Sequence, residues 1–179
     1  MFFSLRELEI RPQPFEQSYP VGEFKFDLPG KPGAVTQSDP VVTSGVAELE
    51  SLSGEIHVTG HIAANLETEC AKCLEKAVIA VDSDFDLRYL PEGLAAEGGE
   101  VEIDDIEAEV GFYSGHGLQL RDVIEEYLLL AVPMRPVCSE DCLGLCPVCG
   151  TNRNEQQCKC SPSLVDERLL ALKTIKAVM

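Results

Sequence analysis

The chain has 179 residues and 45% of them are hydrophobic, which suits one substantial globular core. Its formal net charge of -17 excludes the electrostatic attraction to phosphates on which generic nucleic-acid binding depends. No segment approaches the roughly 18 consecutive apolar residues of a membrane span, so we expect no membrane association. The N-terminal sequence has no basic region before its short apolar run, which predicts a cytoplasmic protein in a reducing compartment.

The negative charge is concentrated in the first three quarters of the chain. Residues 1–133 contain 8 Lys and Arg against 26 Asp and Glu, whereas residues 134–179 contain 6 against 5. We therefore divide the chain into a β-rich acidic domain, residues 1–133, and a cysteine-rich tail, residues 134–179. We expect the tail to pack on the first domain, so that the two form one compact unit.

Short strands are expected at the start of the chain. Prolines and glycines interrupt residues 1–40 and leave room only for brief extended segments, of which residues 23–28 are the clearest. Residues 41–52 predict a further strand.

The middle of the chain predicts a long hairpin. Apolar and polar residues alternate over residues 54–67 and again over residues 79–89, as they do in half-buried strands. The short connection between the two segments contains Cys70 and Cys73. We therefore expect these two cysteines at the tip of an antiparallel hairpin.

Helical spacing appears twice in the second half of the chain. An amphipathic helix is predicted near residues 118–132, because apolar side chains recur there at intervals of three and four residues, at Leu120, Val123, Ile124, Tyr127, Leu128 and Ala131. A short terminal helix after Ser163 is predicted from a similar pattern. The fold class that follows is α+β. It comprises an antiparallel barrel-like or sandwich-like sheet, one packed helix, and a cysteine-rich zinc module that ends in a short helix.

Eight cysteines occur as four close pairs, which is the pattern of two tetrahedral zinc sites with four thiolate ligands each. The predicted ligands are Cys70, Cys73, Cys138, Cys142, Cys146, Cys149, Cys158 and Cys160. The last four are close in sequence and form one local set. By elimination, the pair at residues 138 and 142 joins the distant pair at residues 70 and 73.

A thiol oxidoreductase that uses Cys70 and Cys73 is the alternative from a different functional class. Such an enzyme needs a thiolate activated at a helix N-terminus, whereas this pair lies between two strands and beside acidic residues. No nucleophile–histidine–acid arrangement, phosphate loop or zinc-protease motif is present in the sequence. We therefore expect a protein that is not an enzyme and has no small-molecule substrate.

Several segments of the chain resemble one known family. The sequence is similar to the YceD family, also called large ribosomal RNA subunit accumulation protein, in residues 5–8, 70–75, 122–138, 142–154, 158–160 and 166–168. The resemblance implies a non-enzymatic role in the synthesis, processing or stability of the large-subunit (23S-type) ribosomal RNA. A generic zinc-stabilised adaptor with no ribosomal connection is the remaining alternative.

The resemblance also suggests partners. A ribosomal protein or ribosome-assembly factor with a basic surface would complement the acidic segment at Glu102, Asp104, Asp105 and Glu107. Direct contact with ribosomal RNA is a weaker prediction, because acidic residues balance the basic residues of the tail. His57 and His61 lie on one strand face about 13 Å apart, too far to share a metal, and we expect both to be solvated.

Overall fold

The computed structural model describes residues 1–27, 34–92 and 110–160. The predicted terminal helix and the acidic residues Glu102, Asp104, Asp105 and Glu107 lie outside these ranges. The described elements, in chain order, are β1 (Phe2–Ser4), α1 (Leu5–Leu8), β2 (Gln13–Tyr19), β3 (Lys25–Asp27), β4 (Ala34–Gln37), β5 (Val41–Glu50), β6 (Glu55–Glu69), β7 (Lys76–Pro91), β8 (Val110–Tyr113), β9 (Gly117–Gln119) and α2 (Leu120–Ala131).

A seven-stranded sheet forms most of the structure. Strand β6 is central: β7 pairs with one of its edges, while β5 and then β4 pair with the other. Strands β2 and β3 lie outside β5 and β4, and β8 lies outside β7. All pairings are antiparallel except that of β7 with β8, which is parallel. Strands β1 and β9 form a separate two-stranded antiparallel sheet.

The structure agrees with the predicted α+β class, and of the barrel-like or sandwich-like sheet that was expected it shows an open sheet, not a clearly closed barrel. Closure would require β2 or β3 at one edge to pair with β8 at the other, and the described strands contain no such pairing. One side of β6 is also shared between two strands, because β4 makes only two register pairs with it and β5 pairs with the rest. The alternation that sequence reveals is the same in open and closed sheets, which is why it did not distinguish them.

The predicted hairpin is confirmed as β6 and β7, which pair from Ile56↔Tyr89 to Glu69↔Lys76. Its inner face contains buried apolar side chains, including Val58, Ile62 and Phe85. Its outer face contains polar residues. The period-two alternation therefore sets the register, since a slip by one residue would expose every buried side chain.

The predicted amphipathic helix is confirmed as α2, which contributes Leu120, Val123, Ile124 and Leu128 to the main hydrophobic core. Each such side chain contributes about 1.5–3 kcal/mol through burial. Tyr127 lies at the edge of this contact, with its ring centroid 5.5 Å from that of Phe85 on β7. The helix is thereby fixed in relation to the hairpin.

Two glycines face each other at the centre of the sheet. Gly45 on β5 pairs with Gly60 on β6, and the neighbours across the flanking strands are Phe15 and Phe85. A Cβ atom at Gly45 would lie 2.8 Å from Cζ of Phe15, and one at Gly60 would lie 2.9 Å from Cζ of Phe85. The two phenyl rings therefore occupy the space above the glycines. Their packing compensates for the side chains that glycine lacks within a strand.

We predict that Gly45→Ala destabilises the protein by about 1–3 kcal/mol, because the new methyl group overpacks the sheet centre. Its Cβ would lie 2.1 Å from the backbone oxygen of Thr59. Urea unfolding followed by circular dichroism measures the change. Ser44→Ala, one residue away on the exposed face, is the control. Equal midpoints for the two variants would contradict the prediction.

Candidate metal centres

The first group of thiols joins the hairpin tip to the chain beyond α2. The ligand atoms of Cys70, Cys73, Cys138 and Cys142 all lie within 4.8 Å of one another. Sγ of Cys70 is 3.8 Å from Sγ of Cys142, and Sγ of Cys73 is 3.5 Å from Sγ of Cys138. Three of the four residues are buried, and Cys138 is exposed. We call this group the first cluster.

Local hydrogen bonds shape the hairpin tip around these sulfurs. The Cys70 N–H donates to the Glu75 carbonyl at 2.7 Å, and the Leu74 N–H donates to the Cys70 carbonyl at 3.0 Å. Leu74 adopts a left-handed backbone with φ 64°, a conformation that non-glycine residues rarely adopt. The Ala71 N–H donates to the Pro136 carbonyl at 2.8 Å, which brings the chain after α2 to the tip.

The second group of thiols belongs entirely to the tail. The ligand atoms of Cys146, Cys149, Cys158 and Cys160 also lie within 4.8 Å of one another. Gly150 follows the first pair with φ 73°, and its N–H donates to the Cys146 carbonyl at 2.9 Å. Gly150 thus occupies the place that Leu74 has at the hairpin tip, since each residue follows a Cys-x2-Cys pair. We call this group the second cluster.

Hydrogen bonds join the second cluster to the first. The Leu145 N–H donates to the Lys72 carbonyl at 2.9 Å. The Asn154 side chain accepts from the Leu143 N–H at 2.8 Å, and its amide nitrogen lies 3.4 Å from Sγ of Cys142. Asn154 therefore contacts the first cluster from the loop of the second. Sequence reasoning did not single it out, although an asparagine between cysteine pairs is a residue type that bonds nearby backbone in turns.

The spacing of the sulfurs fits a tetrahedral metal site. Four thiolates bound at about 2.3 Å in a tetrahedron lie about 3.8 Å apart. The two separations in the first cluster are 3.8 and 3.5 Å, whereas a disulfide requires about 2.05 Å. All eight cysteines are free. Each cluster can therefore hold one metal ion, and the pairing predicted by elimination is the one that the structure brings together.

Electrostatics within the clusters also favour a bound cation. Burial raises the pKa of the Cys70 thiol, but backbone N–H groups of Cys73, Lys72 and Cys138 outweigh it and lower that pKa to about 6. In the same cluster, burial and the neighbouring thiols raise the pKa of Cys73 to about 12. Ionisation of Cys70 is thus favoured and ionisation of Cys73 is opposed. A cation is therefore needed for all four thiols of the cluster to ionise.

The second cluster has the same asymmetry. The hydroxyl and backbone N–H of Thr151 lower the pKa of Cys149 to about 6. The hydrogen bond with Cys149 raises the pKa of Cys160 to about 12. A site with four protein thiolates has no open coordination position, so the chemistry that such clusters support is cross-linking of the fold.

The predicted surface histidines lie on the outer face of the hairpin, but each has an aspartate partner. His57 contacts Asp86 across the strands. His61 lies between two carboxylates, with Nδ1 2.9 Å from Asp84 and Nε2 2.9 Å from Asp82. The hydrogen bond to Asp84 raises the pKa of His61 more than partial burial lowers it, and the charge of Asp82 adds to the increase.

The described fold and clusters define a class: a β-rich protein with one packed helix and two tetracysteine sites that can hold metal ions. A family model described as large ribosomal RNA subunit accumulation protein YceD matches residues 58–176. The chain belongs to the YceD family, as the resemblance predicted. The matched residues include all eight cysteines.

Curated relatives were found in mycobacteria. The chain is 36% identical over 103 residues to an uncharacterized protein of Mycobacterium tuberculosis, which is 57% of this chain and 47% of that protein. An uncharacterized protein of Mycobacterium leprae is 29% identical over 104 residues, 58% of this chain and 46% of the relative. The match spans about half the length of these relatives. No solved structure matches, and no helix among the described residues is long and apolar enough to cross a membrane.

We predict that Asn154→Ala weakens the first cluster although residue 154 is not a ligand. The change removes the acceptor for the Leu143 N–H and the amide beside Cys142, at a cost of about 1 kcal/mol. Chelator-driven metal release and urea unfolding measure the effect. Gln157→Ala, at an exposed position in the same loop, should behave as wild type. Indistinguishable curves for Asn154→Ala and wild type would show that the loop contact is dispensable.

We predict that His61 titrates above the ordinary value of 6.5, because its contacts with Asp84 and Asp82 favour the protonated ring. A raised pKa means that the resulting stabilisation is full below the unfolded pKa and is lost as pH rises through the folded pKa. A proton NMR titration of the ring measures it. Asp84→Asn should lower the pKa, whereas Asp86→Asn, which removes the partner of His57, should not. A wild-type value at or below 6.5 would refute the prediction.

Proposed function

We propose that the protein is a non-enzymatic cytoplasmic factor that promotes the synthesis, processing or stability of large-subunit ribosomal RNA. Membership of the YceD family carries this proposal, because the family description names accumulation of that RNA. The closed, four-thiol form of both clusters supports a structural rather than a catalytic role for the cysteines. The burial of Cys70 and Cys73 speaks against the thiol oxidoreductase alternative, since a substrate disulfide has no access to them.

We propose zinc as the metal of both clusters. Four soft thiolates in a near-tetrahedral arrangement are the donor set that zinc uses in structural sites. Bound zinc supplies a cross-link whose binding free energy adds to the stability of the fold. The residues that would hold it are the ligands of the first and second clusters as defined above.

The partner that best fits the surface is a basic protein. The outer face of β7 contains Asp82, Asp84 and Asp86, all exposed. Four thiolates around one Zn²⁺ add two further negative charges at each cluster. A basic ribosomal protein or assembly factor complements such a surface, whereas direct contact with RNA would place it against a negative backbone. The acidic residues 102–107 belong to the same proposal.

The proposal predicts a selective change in ribosomal RNA. Depletion of the protein should lower the ratio of large-subunit to small-subunit RNA, and a wild-type copy should restore it. Cys146→Ser should fail to restore it, because loss of one ligand opens the second cluster and unfolds the loop that the cluster closes, residues 146–160. Quantitative RNA electrophoresis measures the ratio, and immunoblotting confirms that each copy is expressed.

Gln157→Ala serves as the matched control, because this exposed residue lies beside Cys158 without contributing a sulfur. It should restore the ratio fully. An unchanged ratio after depletion would remove the ribosomal function and leave the generic adaptor. Rescue by Cys146→Ser at normal expression would separate the function from the second cluster.

A further inference from the structure

The two clusters differ in how far their sulfurs are shielded from solvent. In the first cluster Cys70, Cys73 and Cys142 are buried, and Cys138 alone is exposed. In the second cluster only Cys146 is buried, while Cys149 is exposed and the remaining two ligands are half-buried. An oxidant that diffuses in solvent therefore reaches most ligands of one cluster and a single ligand of the other.

A surface cavity adds to this difference. It is lined by Pro147, Val148 and Arg153 together with three ligands of the second cluster, Cys146, Cys158 and Cys160. A small molecule in this cavity therefore lies against the cysteines. The Arg153 guanidinium lines the same cavity, where its charge attracts the hydroxide that leaves during oxidation.

We propose that the second cluster is a peroxide-sensitive metal site, whereas the first cluster is a resistant one. The inference rests on the proposed function, because it requires metal in both clusters. Oxidation would release the metal of the second cluster and loosen residues 146–160. The sheet and the four ligands of the first cluster would stay in place, although the first cluster would lose its contacts with Asn154.

The chemistry balances with hydrogen peroxide as the two-electron oxidant. The Cys149 thiolate attacks one peroxide oxygen, the O–O bond breaks, and sulfenic acid and hydroxide form. The Cys160 thiolate then attacks the Cys149 sulfur, so that an S–S bond forms and a second hydroxide leaves. Two thiolates have lost two electrons, two protons from solvent convert the hydroxides into water, and Zn²⁺ leaves with its charge unchanged.

The first cluster cannot complete the same sequence as easily. Peroxide can oxidise the exposed Cys138, but Cys73, whose sulfur is 3.5 Å away, is buried. Three buried ligands also remain on the metal after that first step. Release from the first cluster is therefore expected to be slower.

The test uses the full-length protein purified with its metal. Total zinc is first measured by elemental mass spectrometry, and hydrogen peroxide is then added while a colorimetric chelator records zinc release. We expect two zinc ions per chain, one of which is released at least about tenfold faster than the other.

Differential alkylation with mass spectrometry should place the early disulfide between Cys149 and Cys160. Far-UV circular dichroism should retain the sheet signal, and thiol reductant with added zinc should reverse the change.

Matched cysteine variants assign the release. Cys149→Ser should remove the fast phase, while Cys138→Ser should leave it in place, even if either variant loses one zinc ion on purification. Release of both ions in one phase, or early oxidation of Cys138, would overturn the inference and leave the proposed zinc sites standing. Absence of zinc from the purified wild-type protein would overturn the zinc proposal and this inference together.

Discussion

The first cluster is the interaction on which the arrangement of the chain depends. It brings the tip of the β6–β7 hairpin to the segment that follows α2, and residues 70 and 142 meet there although 72 positions separate them. Backbone bonds such as Ala71 N–H to the Pro136 carbonyl fix the same approach. The helix is thus held in two ways. Its apolar side chains pack on the sheet, and the segment that follows it is joined to the cysteines of the hairpin tip. Contacts of Leu145 and Asn154 with this junction set the position of the second cluster.

Packing in the core follows a different constraint from the cysteine junction at the hairpin tip. The Gly45–Gly60 pair leaves room for two phenyl rings, and Phe85 in turn contacts Tyr127 of α2. A side chain at Gly60 would displace the Phe85 ring, against which Tyr127 of the helix packs. The core and the first cluster therefore hold the same helix independently: the core through packing of apolar side chains, and the first cluster through its cysteines.

Much of this was predictable from sequence because the relevant patterns are local. The alternation of apolar and polar residues predicted the hairpin, and apolar residues at intervals of three and four predicted α2. The cysteine pairs predicted the two groups of candidate ligands. Closure of the sheet was not predictable, because pairing of the edge strands with each other depends on curvature and not on residue type. The partners of His57 and His61 depended on the β6–β7 register, which places Asp86 and Asp84 beside them only after pairing. The left-handed backbone at Leu74 was not predictable either. A glycine such as Gly150 indicates this conformation in the sequence, whereas a leucine does not.

The sequence separations within the clusters have a consequence for the order of folding. The second cluster closes a loop of about a dozen residues, so its ligands meet at little entropic cost. The first joins residues 65 to 72 positions apart, and its ligands meet only when the hairpin and the helix are in place. A chain in which residues 70 and 142 share a metal is thus a chain whose sheet has already formed. On this argument we expect the first cluster to close after the second, so that its closure reports a folded sheet and helix.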